Sequence, residues 1–182
     1  MMPRLSRRVF VRSLLPGAVA LQAACGYTLA GRGNFLPSYI RVIGIPEFTN
    51  NTSVYDIEQQ FTQRVRSEFV GRGRYQVIPV AEGADAVLTG TVAGLSLEPS
   101  GFDQNNQATR YTVRVQLRVE FRDVKASKLI WENPSLEVVD EYDLTTSPVA
   151  DVSAFLGQNR AAADRIADTV ARRTVSSILE AF

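Results

Sequence analysis

The 182-residue sequence contains no histidine, one cysteine and one tryptophan. Without histidine there is no Ser-His-Asp or Cys-His catalytic arrangement, and the imidazole that zinc and haem sites most often use is missing. The single cysteine, Cys25, excludes a disulfide within the chain. An excess of basic charge is missing too: 20 basic residues stand against 19 acidic ones. Four of the basic residues, Arg4, Arg7, Arg8 and Arg12, lie in the first twelve positions. From Cys25 onward 16 basic residues meet 19 acidic ones, a charge of −3, so the chain is not a general nucleic-acid binder. The apolar stretch from Val9 to Ala24 is broken by Arg12, Ser13, Pro16 and Gly17. It falls short of the roughly 20 apolar residues that a permanent membrane-spanning helix needs. With 45% hydrophobic residues the remainder can build a real core, and its length suits one domain behind a leader.

The leader, residues 1–24, reads as an export signal: a basic start, an apolar middle, then Ala23-Ala24 before Cys25. A cysteine in that position is where a lipobox places its lipidated residue. Two or more acyl chains on Cys25 would supply the double signal that stable membrane anchoring requires. The position three residues before the cysteine, usually leucine, is Gln22 here, and Leu21 stands one residue further back. Ser6-Arg7-Arg8-Val9-Phe10-Val11-Arg12 resembles a twin-arginine export signal, and serves equally well as the basic start of a general secretory one. Gly26 follows the cysteine where an inner-membrane retention signal would place aspartate, so the outer membrane is the expected destination. Residues 25–38, with Gly26, Gly31, Gly33, Asn34 and Pro37, read as a flexible tether.

Residues 39–182 read as a single α+β domain. Tyr39 to Pro46 is β-branched and ends at proline, as a strand. Thr49 to Thr52 reads as a loop; its Asn50-Asn51-Thr52 matches a glycosylation sequon that a bacterial leader makes incidental. Ser53 reads as the N-cap of an amphipathic helix over about 54–70, with Ile57, Phe61, Val65 and Phe69 facing a core. Tyr75 to Val80 and Ala86 to Leu97 are further strands, the second shifting its apolar phase at a bulge near Gly94. Residues 99–108 read as a polar loop exposing Phe102.

Residues 110–122 alternate without an error. Tyr111, Val113, Val115, Leu117, Val119 and Phe121 share one face; Arg110, Arg114, Arg118 and Arg122 lie on the other with Thr112, Gln116 and Glu120. One dry and one wet face imply an at least partly antiparallel sheet. Lys125-Ala126-Ser127 then makes a hairpin turn. The return strand starts at Leu129, is interrupted at Asn133-Pro134, and continues from Leu136 to Tyr142 at a sheet edge or after a bulge. Residues 152–182 form a last helix, weakened at Gly157. The order is β-α-β-β-β-β-α, with two helices packed on one face of a four- to five-stranded mixed or antiparallel sheet.

Cys25-Gly26-Tyr27-Thr28-Leu29-Ala30-Gly31, the strand Ile40 to Pro46 with Phe48, Asn50 and Thr52, Arg72-Gly73-Arg74-Tyr75, Ala84 to Val92, Leu129 to Asn133 and the closing Ile178 to Phe182 resemble, in order, the LptE family of lipopolysaccharide-assembly lipoproteins. The resemblance implies a non-enzymatic lipoprotein without a cofactor, facing the periplasm from the outer membrane. Its partners would be an LptD-type β-barrel, which it plugs and helps assemble, and lipopolysaccharide. A lipoprotein regulator of a cell-wall synthase, or a secretion-pore component, begins with a similar strand and helix and is the alternative.

Two constellations bear on chemistry. The arginines of the wet face lie roughly 13 Å apart at every fourth residue, since the rise is about 3.3 Å per residue. Guanidinium forks suit the anionic phosphates of lipopolysaccharide, which makes Arg110, Arg114, Arg118 and Arg122 contact candidates. The competing reading is a solvated face on which Glu120, Glu132 and Glu137 neutralise the row. Asp140, Glu141 and Asp143 carry two carboxylates adjacent in a strand, which point to opposite faces, so no catalytic or metal-binding pair is expected of them.

Overall fold

The computed structural model describes residues 36–143 and 151–182. The leader, Cys25 and most of the assigned tether lie outside the described residues. The described residues form one compact unit.

Among the described residues nine elements follow in order: β1 (Val42–Gly44), β2 (Thr49–Asn50), α1 (Ile57–Gly71), β3 (Gln76–Ile78), β4 (Ala86–Phe102), β5 (Ala108–Asp123), β6 (Lys128–Asp143), α2 (Val152–Gln158) and α3 (Arg160–Leu179). The sheet runs β3-β1-β4-β5-β6, and β2 pairs β4 beyond the end of β1. β1 lies parallel to β3 and β4, while β4, β5 and β6 form an antiparallel meander. The class is the α+β, mixed-sheet one expected from the pattern.

Side-chain alternation decides which face is covered. In β5 every odd residue from Tyr111 to Phe121 is buried. With Leu88 and Val92 of β4 and Leu136 and Val138 of β6, the five from Val113 to Phe121 meet Phe61, Val65 and Phe69 of α1 and Ile166, Val170 and Ile178 of α3 in one cluster. Two polar devices close the core where apolar side chains cannot. The buried Thr62 hydroxyl accepts from the Phe48 amide at 3.0 Å and donates to the Glu58 carbonyl at 2.6 Å. Arg66 donates twice, at 2.9 and 2.6 Å, to the carbonyl of Ile45, beside the proline that interrupts the ladder.

Several boundaries differ from the sequence reading: β1 keeps only 42–44 of the expected 39–46 and β3 only 76–78 of the expected 75–80. Residues 49–50 are a strand rather than loop, paired to Thr91 and Val92. The first helix begins at Ile57, not 54; its N-cap is Asp56, left-handed at φ 61° and without a side-chain cap bond, not Ser53. Asn50 organises this corner instead, donating to the Val54 carbonyl at 2.7 Å and Glu58 at 2.8 Å while accepting from Thr52. β4 continues to Phe102, so the polar loop shrinks to residues 103–107; Phe102 is exposed as expected. The last helix is two: Asp151 caps α2 through the Ala154 amide, and Asn159 leaves the helical region and caps α3 through the Ala162 amide.

Three other expectations hold. The register of β4 shifts between Val92 and Gly94. The β5–β6 turn lies at residues 124–127. β6 is both an edge strand and a bulged one: Leu117 faces Leu136 and Val119 faces Asn133, so Pro134 and Ser135 together stand against Arg118. Leu36, near the end of the assigned tether, is already buried in the core.

Candidate functional site

The helices pack on the dry face of the sheet, and the other face of β5 is lined by exposed or half-buried polar residues. Arg110, Arg114, Arg118 and Arg122 all lie there, as the alternation requires, but register divides them. Arg110 faces Asp143 directly, and its Nε meets Asp143 Oδ1 at 2.8 Å. Arg114 reaches Glu137 at 2.5 Å. Arg122 approaches Glu120 at 3.7 Å along its own strand. The hydrogen bond to Asp143 raises the pKa of Arg110, and that to Glu137 raises that of Arg114, so both stay charged and occupied.

Arg118 is different. On the β4 side its neighbour is Thr91, and on the β6 side the Pro134–Ser135 bulge removes the residue that would face it. It makes no ion pair among the described residues. The expected pairing of the row by Glu132 is not what the register shows: Glu132 stands opposite Glu120, two like charges across the ladder. Glu137 does pair as expected, and Asp143 is the partner not foreseen. Four arginines in line thus offer one guanidinium that needs no acid displaced before an anionic group can take it.

Asp140 and Glu141 point to opposite faces, as the strand geometry requires. Asp140 belongs to a lock that joins the edge strand to α3. Arg165 donates to it at 2.9 and 3.1 Å and lies 4.0 Å over the Tyr142 ring. The Tyr142 hydroxyl donates to Asp140 at 3.0 Å, and burial, then that bond, pushes its pKa up to about 12. Sequence reasoning did not find this lock: Arg165 and Tyr142 are 23 positions apart, and no spacing rule joins them. A second knot escaped it too. Tyr39 donates to Asp123, whose oxygens also accept from the Ala126 amide; Lys125 pairs with Asp85 at 2.6 Å; and Asp85 accepts from the Arg41 and Val42 amides at 3.0 Å.

A family model described as LptE, lipopolysaccharide-assembly, matches residues 40–178, from the first buried strand to the last turn of α3. The chain belongs to the LptE family. LptE is a family of lipopolysaccharide assembly. No curated protein matches the sequence. Among solved structures, the hypothetical protein CT253 from Chlamydia trachomatis is similar at a TM-score of 0.51 and 8% identity, over 77% of this chain and 96% of that one. Rare lipoprotein B from Shewanella oneidensis gives 0.46 and 12%, over 75% and 96%. A leucine-to-methionine variant of the PelC dodecamer from Paraburkholderia phytofirmans gives 0.48 and 16%, over 78% and 86%. At 8% identity the likeness to CT253 is one of fold alone.

Proposed function

We propose that this LptE-family chain is an outer-membrane lipoprotein, anchored through Cys25, that plugs and helps assemble an LptD-type barrel and contacts lipopolysaccharide in transit. The family match over 40–178 carries the reading. The open arginine face is the lipopolysaccharide-contacting surface, centred on Arg118 with Arg110, Arg114 and Arg122 around it. Phosphate offers guanidinium a bidentate partner, and Arg118 meets it without first breaking a pair.

Affinity purification from detergent-solubilised outer membrane, followed by mass spectrometry, tests the partnership. Recovery of an LptD-type barrel is the expected result. A penicillin-binding protein or a homo-oligomeric pore in its place would establish the regulator or secretion-pore alternative. Labelled palmitate should enter the wild type and not Cys25→Ser; equal labelling of both would remove the anchor from the reading.

A further inference from the structure

Residues far apart in sequence converge at the end of the domain where Leu36 joins the core. β1, β3 and β4 all begin at this end, and the β5–β6 turn closes there. α1 and α3 both finish there, because Tyr75 walls two adjoining pockets. One, of about 400 Å³, is bounded by Leu36, Ser38, Arg41 and Arg74. The other, of about 290 Å³, is bounded by Arg72, Arg74, Leu179 and Glu180. Among the described residues Glu180 is the only carboxylate lining either.

The cations here are unequal. Arg72 is held by Glu68 at 2.8 Å and by Ser176, and Lys125 by Asp85. Arg41 and Arg74 are exposed and make no ion pair among the described residues. Beside them the Tyr39 ring is 45% exposed with the Lys125 ammonium 5.9 Å from its centre, and Val124 is 44% exposed. The opposite end of the meander is unlike this one: the turn at 103–107 holds one aspartate and no cation.

We propose that the Leu36 end rests on the headgroup layer of an anionic bilayer, with Arg41 and Arg74 taking lipid phosphate and Tyr39 and Val124 entering the interface. Free guanidinium groups bind phosphate, and tyrosine and short apolar side chains suit the boundary between headgroups and acyl chains. The N-terminal segment joins the domain at this end, through Leu36. Cys25 lies 11 positions before Leu36, at most about 40 Å of extended chain, so a lipid on Cys25 holds this end nearest the membrane. The inference deepens the lipoprotein reading and rests on it.

The test uses the unlipidated mature chain, residues 25–182 with Cys25→Ser, which keeps the whole compact unit. It is sedimented with vesicles of phosphatidylethanolamine and phosphatidylglycerol. Binding should appear, rise with the phosphatidylglycerol fraction and fall with salt. At about 1 kcal/mol per basic residue near an anionic surface, Arg41→Gln and Arg74→Gln should each lower partitioning about five-fold, and together about 25-fold. Arg160→Gln, which removes the same charge from the far end of α3, should leave it within two-fold. Absence of vesicle binding, or equal losses from Arg41→Gln and Arg160→Gln, overturns the proposal. So does a double variant that binds vesicles like the wild type but no longer co-purifies with the barrel, which assigns this end to a protein. Palmitate labelling of Cys25 is read separately, so failure of the anchor and failure of this surface give different results.

Discussion

Gly90 and Phe48 offer a sharp test of the packing. Gly90 lies on the dry face of β4 between Leu88 and Val92, and a Cβ built on it would sit 2.7 Å from two atoms of the Phe48 ring. The ring cannot easily retreat: Phe48 is 3% exposed and its amide is tied to Thr62. Gly90→Ala should therefore cost about 1–3 kcal/mol through overpacking. Phe48→Ala should cost about 3–5 kcal/mol through the cavity it opens. Combined, they should not add. With the ring gone the methyl group has room, and replacing glycine then restricts the unfolded chain, worth about 0.4–1 kcal/mol. Gly90→Ala should thus destabilise the wild type and stabilise the Phe48→Ala background. Urea denaturation of the four proteins completes the cycle. At about 2–4 °C per kcal/mol for a domain of this size, thermal melts should show the same change of sign. An equal penalty in both backgrounds would refute the steric argument.

Phe61 is fully buried against the sheet, and Phe61→Ala should lower stability by about 3–5 kcal/mol; an unchanged melting temperature would contradict its place in the core. On the open face, Arg118→Gln should weaken lipopolysaccharide binding more than Arg110→Gln, and Glu137→Gln should strengthen it by releasing Arg114. Titrations that rank Arg110 above Arg118 would refute the register argument. Asp85 is held well below the ordinary carboxylate range, first by Lys125 and then by the Val42 and Arg41 amides; Asp123 is lowered by the Ala126 amide and then Tyr39. Depressed folded values mean that their contribution is complete above the unfolded pKa of about 3.9 and disappears as pH falls below it. The melting temperature of Asp85→Asn should therefore fall less steeply below about pH 4 than that of the wild type, and parallel curves would speak against the knot.

The sequence showed most clearly what a single period controls. β5 alternates for its whole buried length, so its two faces were legible residue by residue, and the phase change in β4 located the bulge at Gly94. Elements set by pairing were not legible. β2 has two residues and exists because Thr91 and Val92 present free ladder groups to it. The division between α2 and α3 depends on Asn159 leaving the helical region, whereas Gly157 was the visible weakness. At the candidate site the row of arginines could be read, but not which of them is paired. That depends on the β5–β6 register and on a bulge two residues wide, which no pattern within one strand contains. Arg41 and Arg74, 33 positions apart, meet only because β1 and β3 run parallel.

The meander also sets a scale. β4 has 17 residues and β5 has 16, so at about 3.3 Å per residue the turn at 103–107 stands roughly 50 Å from the end where Leu36 enters the core. With Cys25 anchored as proposed above, a ladder of this length would act as a depth gauge. The distance of Phe102 from the Leu36 end is set by strand length, and a two-residue insertion in β4 matched by a two-residue insertion in β5 would lengthen it by about 7 Å while preserving which side chains face the core.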